Sequence, residues 1–365
     1  MSTDYLIRAV LIILTTFSIS ALIMPLIIKI AYHIGALDKP RDEQDHRHIH
    51  KKVTPKFGGM AIYISFLIGY MLFGVHSVQM NAILIGSFFI IFTGIIDDIN
   101  SLKAKEQLLG QIIASLIVMF YGGILLNKIS FFGITWNFGI FSYPITLVFF
   151  LGCINIIRLI DGVDGLSGGI TSIFYLTIGI IAFLQGKYGT LEITLTYIML
   201  GSTLGFLLYN FNPAITFSGE AGTTFMGYMI AVISLLGFKG ALLTSIVVPL
   251  ITLAIPILDT LFAIIRRSIK HKKIYEGDKD HMHHQLLKMN FSQRKTVLVV
   301  YAIDLLFSIA SIVYNIRGQK IGIIIYSILL LLVIWFVLHT SIISSNIAEK
   351  TKKIENKVLH KKTTR

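Results

Sequence analysis

The feature that most constrains this chain is a succession of apolar runs, many near the roughly 18 to 20 residues that a helix needs to cross a bilayer. With 14% charged residues and a mean hydropathy of +0.77, the chain has too little charge to cover a soluble surface. In hydrocarbon the backbone polar groups must be satisfied internally, so such runs read as helices. The expected fold class is an all-α integral membrane protein, a polytopic bundle of about eleven transmembrane helices with its functional loops on the cytoplasmic side. Spans are expected near 7–30, 57–75, 80–96, 107–126, 141–159, 168–184, 191–209, 225–237, 240–265, 297–315 and 320–342. The eighth is short, and Pro249 and Pro256 are expected to kink the ninth. The first run, from Ala9 to about Ile30, outlasts a signal-peptide core and is followed by no small-residue cleavage pattern, so it is expected to stay as a span. From Asn127 to Gly139, apolar and polar residues alternate between turn-formers, which predicts a small extramembrane hairpin.

The placement of charge orients the bundle. The formal net charge is +13, which in a membrane protein reflects cations retained on the inner side rather than nucleic-acid binding. Arg41, Arg47, Lys51, Lys52 and Lys56 follow the first span; Arg266, Arg267, Lys270, Lys272, Lys273 and Lys279 follow the ninth. An odd number of spans puts these two loops and the C-terminal segment on one side. The bundle is expected to occupy 1–345 as one transmembrane domain, and 346–365 to form a basic cytoplasmic tail held near anionic lipid. Cys153 is the single cysteine, which excludes an intrachain disulfide; inside an apolar run it reads as a small buried hydrophobe.

The polar residues that composition does not explain fall on the same side. Asp97 and Asp98 close the third span; Asn155, Arg158, Asp161 and Asp164 close the fifth; Asn210, Asn212 and Glu220 follow the seventh. Asp259, Arg266 and Arg267 belong to the ninth, with Asp278, His281, His283 and His284 in the loop beyond. Acids at helix ends suit Mg²⁺, which takes oxygen ligands and keeps waters for substrate phosphates. Gly162, Gly165, Gly168, Gly169, Gly219 and Gly222 allow a ligand to approach the backbone. Arginines and histidines complement phosphate oxygens. Acids for a cation and bases for an anion together describe phosphoryl transfer from an activated donor. Each element also has a plainer use. Asp97-Asp98 suits an interfacial helix cap, Arg266-Arg267 a topology anchor, and Asp259 a structural partner inside the bundle. His281-x-His283-His284 suits a transition metal or loop decoration as well as a substrate contact.

From about residue 20 to about residue 315 the chain resembles the polyprenyl-phosphate N-acetylhexosamine-1-phosphate transferases, in particular bacterial enzymes that begin wall teichoic acid synthesis. The resemblance is carried by Arg47-x-x-His50, Gly58-Gly59, Asp97-Asp98, Asp161-Gly-x-Asp-Gly-Leu166 and Tyr209-Asn-Phe-Asn-Pro213. It extends to Phe217-x-Gly219, Asp259-Thr260, Arg266-Arg267 and Asp278-x-x-His-x-His-His284. It implies transfer of N-acetylglucosamine 1-phosphate from a UDP-N-acetylhexosamine to undecaprenyl phosphate, with release of UMP and a need for Mg²⁺, Mn²⁺ being a substitute. It further implies Asp97 and Asp98 as the catalytic acids, with Glu220 and Asp97 on the metal. The substrate contacts it implies are His50, Lys52, Asn155, Arg158, Asp161, Asp164, Asn210, Arg266, Arg267, His281, His283 and His284. The implied partners are the two substrates and the plasma membrane, with no nucleic acid and with a homodimer left open. Where the family usually has Asp, Asn and Lys, this chain has Glu220, Arg158 and Gln107, and it has His48 for a usual Lys. Competing readings are phospho-MurNAc-pentapeptide transfer, a non-catalytic paralogue that binds nucleotide-sugar or lipid phosphate, and a secondary transporter. The last would place its ionisable residues nearer the bilayer midplane.

Overall fold

The computed structural model describes residues 2–38, 53–131, 134–239, 247–269, 286–287 and 289–339. Its helices are α1 Ser2–Ile34, α2 Gly59–Phe73, α3 Val78–Ile99, α4 Ala104–Phe120, α5 Ser142–Ile160, α6 Leu166–Leu184, α7 Leu191–Asn210 and α8 Gly219–Lys239. They are followed by α9 Val247–Thr252, α10 Ala254–Ile269, α11 Gln293–Ile316 and α12 Gln319–His339. Among the described residues, seven helices are long and apolar enough to cross a membrane: α1, α3, α5, α6, α7, α8 and α11. The chain is therefore an all-α membrane protein, but the expected eleven full-length spans are not reproduced. Among the described residues each expected position holds helix, and most of the shortfall has local causes. The second is only 15 residues long, and the fourth has 17 and opens with Lys105 and Glu106. The ninth is divided at Leu253, between Pro249 and Pro256, into α9 and α10. The eighth, expected to be short, has 21 residues because its first turn is the polar Gly219-Glu220 segment. Residues 346–365 lie outside the described residues.

Two small ladders lie outside the helices. The expected hairpin is present as β3 Lys128–Phe131 paired antiparallel with β4 Ile134–Asn137. At the other end of the bundle, β1 Leu37–Asp38 pairs with β2 Thr54–Pro55, which closes the segment between them.

The core is α8, apolar all round and buried along nearly its whole length, against which α2, α3, α5, α6 and α7 pack. A helix with no polar face has to be enclosed, and in lipid close packing of small residues does that work. Gly59 of α2 meets Gly222, Gly94 of α3 meets Ala221, and Gly227 meets Ile154 of α5. Hydroxyls in the interior return to their own helices, as when Thr196 and Ser234 donate to the carbonyls of Glu192 and Ile230. The successive helices alternate in direction, so α1, α3, α5 and α7 arrive at one end of the bundle where α2, α4, α6 and α8 begin.

A Cβ on Gly59 would lie 2.2 Å from the Gly222 Cα, whereas one on Gly152 of α5 would meet nothing within 4 Å. Gly59→Ala is expected to destabilise the detergent-solubilised protein by roughly 1–3 kcal/mol. Gly152→Ala is expected to be neutral or to stabilise by up to about 1 kcal/mol. Equilibrium unfolding of the two variants side by side checks both.

Candidate active site

The end of the bundle where those termini meet holds a cavity of about 310 Å³, lined by Asp38, Lys56, Asp98, Arg158, Asp161, Gly162, Val163, Asp164, Asn210, Phe217, Gly219, Glu220 and Thr223. A second, much smaller hollow beside it is lined by Ile90, Thr93, Gly94, Asp97, Gln107, Gln111, Arg158, Glu220 and Thr224. Asp97 and Asp98, adjacent in the chain, thus face different spaces.

The walls are held by side chains that complete backbone groups at helix ends. α8 starts with Gly219 at φ +70°, and the first N–H groups of a helix lack intrahelical partners. The Asp98 carboxylate takes two of them, from Glu220 at 2.8 Å and Ala221 at 3.2 Å. Asp97 works on its own loop, accepting from Leu102 N at 2.5 Å and from Gln107 Nε2 at 2.8 Å. α5 ends at Ile160, and Asp161 to Gly165 make a tight turn into α6, with Gly165 left-handed at φ +84°. Such a conformation favours glycine. Asp161 accepts from the Ser167 and Ser218 hydroxyls, both at 2.5 Å. Asp164 accepts from Asn212 Nδ2 at 2.9 Å and from Ala214 N at 3.0 Å, which fastens the 211–218 loop to this turn. Buried Asn210 joins the same two segments, accepting from Gly165 N at 3.0 Å and donating to the Thr216 carbonyl at 2.9 Å. The loop is stitched in turn to β2, through Phe217 N and Thr216 Oγ1 on the Pro55 carbonyl at 2.8 and 2.9 Å.

Arg158 and Glu220 form an ion pair, Nε to Oε2, at 2.5 Å. Asp97 and Asp161 also act on Glu220 through their charges, and Lys56 acts on Asp98. Burial pushes the Asp161 carboxyl above its usual range, with Asp164 adding to the rise and the two serine hydroxyls opposing it. Among the described residues, no cluster of three His, Cys, Asp or Glu side chains forms a closed metal cage. The donors at the cavity are oxygens on one or two carboxylates at a time. That set fits Mg²⁺ bound through a few carboxylates, waters and a substrate's phosphates, and does not fit a metal needing a complete protein cage.

The sequence matches glycosyl transferase family 4 over residues 80–238. It is similar to the probable undecaprenyl-phosphate N-acetylglucosaminyl 1-phosphate transferase of Bacillus subtilis, with 39% identity over 320 residues, 86% of this chain and 87% of that protein. The chain belongs to glycosyl transferase family 4. Further relatives are the decaprenyl-phosphate N-acetylglucosaminephosphotransferase of Mycolicibacterium smegmatis, 30% identical over 74% of this chain and 73% of that protein, and the undecaprenyl-phosphate alpha-N-acetylglucosaminyl 1-phosphate transferase of Escherichia coli strain K12, 28% identical over 77% of each.

Of the residues singled out in this glycosyl transferase family 4 sequence, Asp98, Arg158, Asp161, Asp164, Asn210 and Glu220 line the main cavity, and Asp97 the smaller one. Asn155 lines neither. About one helical turn deeper than Arg158, its amide donates to Gln111 Oε1 at 2.8 Å and braces α5 against α4. Asp259 is buried on α10. Arg266 and Arg267 lie in the last turns of α10, and their side chains are outside the described residues, as are His50, Lys52, His281, His283 and His284.

Sequence reasoning missed several participants. Lys56 and Asp38 line the cavity. Ser167 and Ser218 hold Asp161. α11 supplies a further support: Gln293 pairs with the Asn212 amide, Arg294 Nε donates to the Asn212 carbonyl at 2.7 Å, and the Tyr301 hydroxyl donates to the Gly165 carbonyl. The one sequence signal for that start is Ser292, which caps α11 by accepting from Lys295 N.

Asn210→Ala would leave the Gly165 N–H and the Thr216 carbonyl without their partner. The expected cost is roughly 2–4 kcal/mol of stability, read by equilibrium unfolding in detergent. Wild-type stability in this variant would show that Asn210 does not tie the two segments together.

Proposed function

We propose that this chain transfers N-acetylglucosamine 1-phosphate from UDP-N-acetylglucosamine to undecaprenyl phosphate, giving the lipid-linked sugar diphosphate and UMP, at the first step of teichoic acid or other surface polysaccharide synthesis. The observation that carries this is the main cavity, where Asp98, Asp161, Asp164 and Glu220 converge with Lys56 and Arg158 at one end of a membrane bundle. The names of the relatives from Bacillus subtilis and Escherichia coli support the same chemistry.

In this reading an oxygen of the lipid phosphate attacks the phosphorus that carries the sugar, the pyrophosphate P–O bond breaks, and UMP leaves. Glu220 and Asp97 would hold a Mg²⁺ ion, with Mn²⁺ as a substitute. Bound there, the ion supplies neutralisation of charge on the transferring phosphates. Asp98 orients the acceptor phosphate in the main cavity while Asp97 assists the metal, and Lys56 and Arg158 offer cations to the anionic oxygens. The turn at Gly162, which lines the cavity, lets the nucleotide approach the backbone closely. The family resemblance adds Arg266, Arg267, His281, His283 and His284 as further substrate contacts.

The reading also has the chain cross the plasma membrane eleven times. The shorter α2 and α4 are accommodated by local bilayer adjustment, and α9 with α10 completes one span. The site then faces the cytoplasm, in keeping with the cations of the loops after the first and ninth spans.

Two experiments test this. Purified protein with undecaprenyl phosphate, UDP-N-acetylglucosamine and Mg²⁺ is expected to release UMP, and Asp97→Ala and Glu220→Ala to lower the rate by at least about 10²-fold. No release from the wild type would overturn the reading. Release only with the MurNAc-pentapeptide nucleotide would overturn the choice of donor. For orientation, Ser101→Cys at the cavity end and Lys128→Cys in the β3–β4 hairpin are treated with a membrane-impermeant thiol reagent. Lys128→Cys is expected to label on intact cells, and Ser101→Cys only in inverted vesicles. The reverse pattern would put the cavity outside.

A further inference from the structure

Arg158 and Glu220 are the two residues shared by the linings of the main cavity and of the smaller hollow next to it. Their ion pair, 2.5 Å long and half-buried, bridges α5 and α8 and is the partition between the two spaces. Asp98 stands on one side of this partition and Asp97 on the other.

The neighbouring carboxylates are engaged differently. Asp97 is held by a backbone N–H and the Gln107 amide, Asp98 by two backbone N–H groups, and Asp161 by two serine hydroxyls. All of those donors are neutral. Glu220 instead meets a guanidinium, a full positive charge on a planar fork suited to a carboxylate. Asp97 and Asp161 both add to the negative potential at Glu220, which favours a cation there, and Arg158 already supplies one.

We propose that Arg158 is a resident counter-ion that gates the cation site: it competes with the divalent ion for Glu220, and once displaced it turns to the anionic ligand in the main cavity. This rests on the reading of Glu220 as a metal-binding residue. Release of the pair joins the two spaces, so that Asp97, Asp98 and Glu220 face one ligand together. Arg158 is thereby a positioning residue that couples arrival of the cation to arrival of the anion. A cation alone has to overcome the ion pair, whereas a cation arriving with a diphosphate gives the guanidinium a new partner.

The test is a Mn²⁺ titration followed by electron paramagnetic resonance, on full-length protein in nanodiscs without nucleotide. Arg158→Gln keeps a planar polar group and removes the charge, and it is expected to bind Mn²⁺ roughly tenfold more tightly than the wild type. Arg158→Lys keeps the charge and gives up the forked contact at Nε, and its affinity is expected between the two. Unchanged or weaker Mn²⁺ binding in folded Arg158→Gln would overturn the proposal. A lysine variant indistinguishable from the wild type would overturn it too, even were the glutamine variant not to fold.

A second readout separates the gate from a mere brace. With the metal saturating, Arg158→Gln is expected to raise KM for UDP-N-acetylglucosamine at least about tenfold while kcat falls less, since the freed guanidinium contacts the ligand. A fall in kcat alone would overturn the second half of the proposal. The gate and the transferase reading fail separately. Wild-type UMP release with unchanged Mn²⁺ affinity in the variants refutes only the gate. Tighter Mn²⁺ binding in the variants with no wild-type UMP release supports the gate and refutes only the transferase.

Discussion

The hydrogen bonds from the first turn of α8 to Asp98 are the constraint on which the rest of this molecule depends. α8 is the buried axis of the bundle, and its leading N–H groups sit where water is scarce and no earlier turn can serve them. The Asp98 side chain suits that position because its two oxygens accept one donor each. Asp98 comes from the far end of α3, so one interaction fixes the relative height of two core helices. Gly219 permits the approach: a Cβ there would lie 2.5 Å from the Asp98 carboxylate and 2.4 Å from the Lys56 carbonyl.

Once that height is set, the remaining functional groups follow from alternation of direction. Helices that arrive at this end bring acids at their C-termini, and those that depart begin with glycine turns, so the polar groups collect without a separate domain. The carboxylates thereby serve two ends. They complete backbone groups that the bilayer leaves unsatisfied, and they leave a shallow ring of negative potential open to a ligand. The reading of Asp97-Asp98 as an interfacial cap and the reading of it as chemical machinery are therefore not exclusive. Asp98 is a cap, though of a helix more than a hundred residues away rather than of its own.

Much of this was legible in the sequence, for stated reasons. Hydrophobic runs located every helix of the bundle, and the alternation between Asn127 and Gly139 located the hairpin, because both patterns report burial directly. Lengths were less legible. Glu220 looked like loop because a charged residue in the first turn of an intramembrane helix is unexpected until its N-terminal environment is known. Asp161, Asp164, Asn210 and Glu220 were found together because each sits beside glycine or at a helix end. Asn155 was drawn in by its neighbours, but three residues along a helix is a change of depth, and its amide meets Gln111 instead. Gln293, Arg294 and Tyr301 were invisible. They belong to the first turns of an ordinary helix, and their role exists only because α11 lies beside α6 and the 211–218 loop. Lys56 read as one of many topology-setting cations, and only the β1–β2 closure shows that it lines the cavity.

The struts from α11 bear on what a smallest working unit could be. The segment matched to glycosyl transferase family 4 ends at residue 238, yet the Asp161–Gly165 turn and the 211–218 loop are clamped by Tyr301, Gln293 and Arg294. At the other end, the same loop is sewn to Pro55, before the matched segment begins. A fragment trimmed to the matched region would keep most of the acids and lose the clamps on both flanks. The middle of the chain thus carries most of the carboxylates around the cavity, while the clamps that hold its turns are on loan from the two ends.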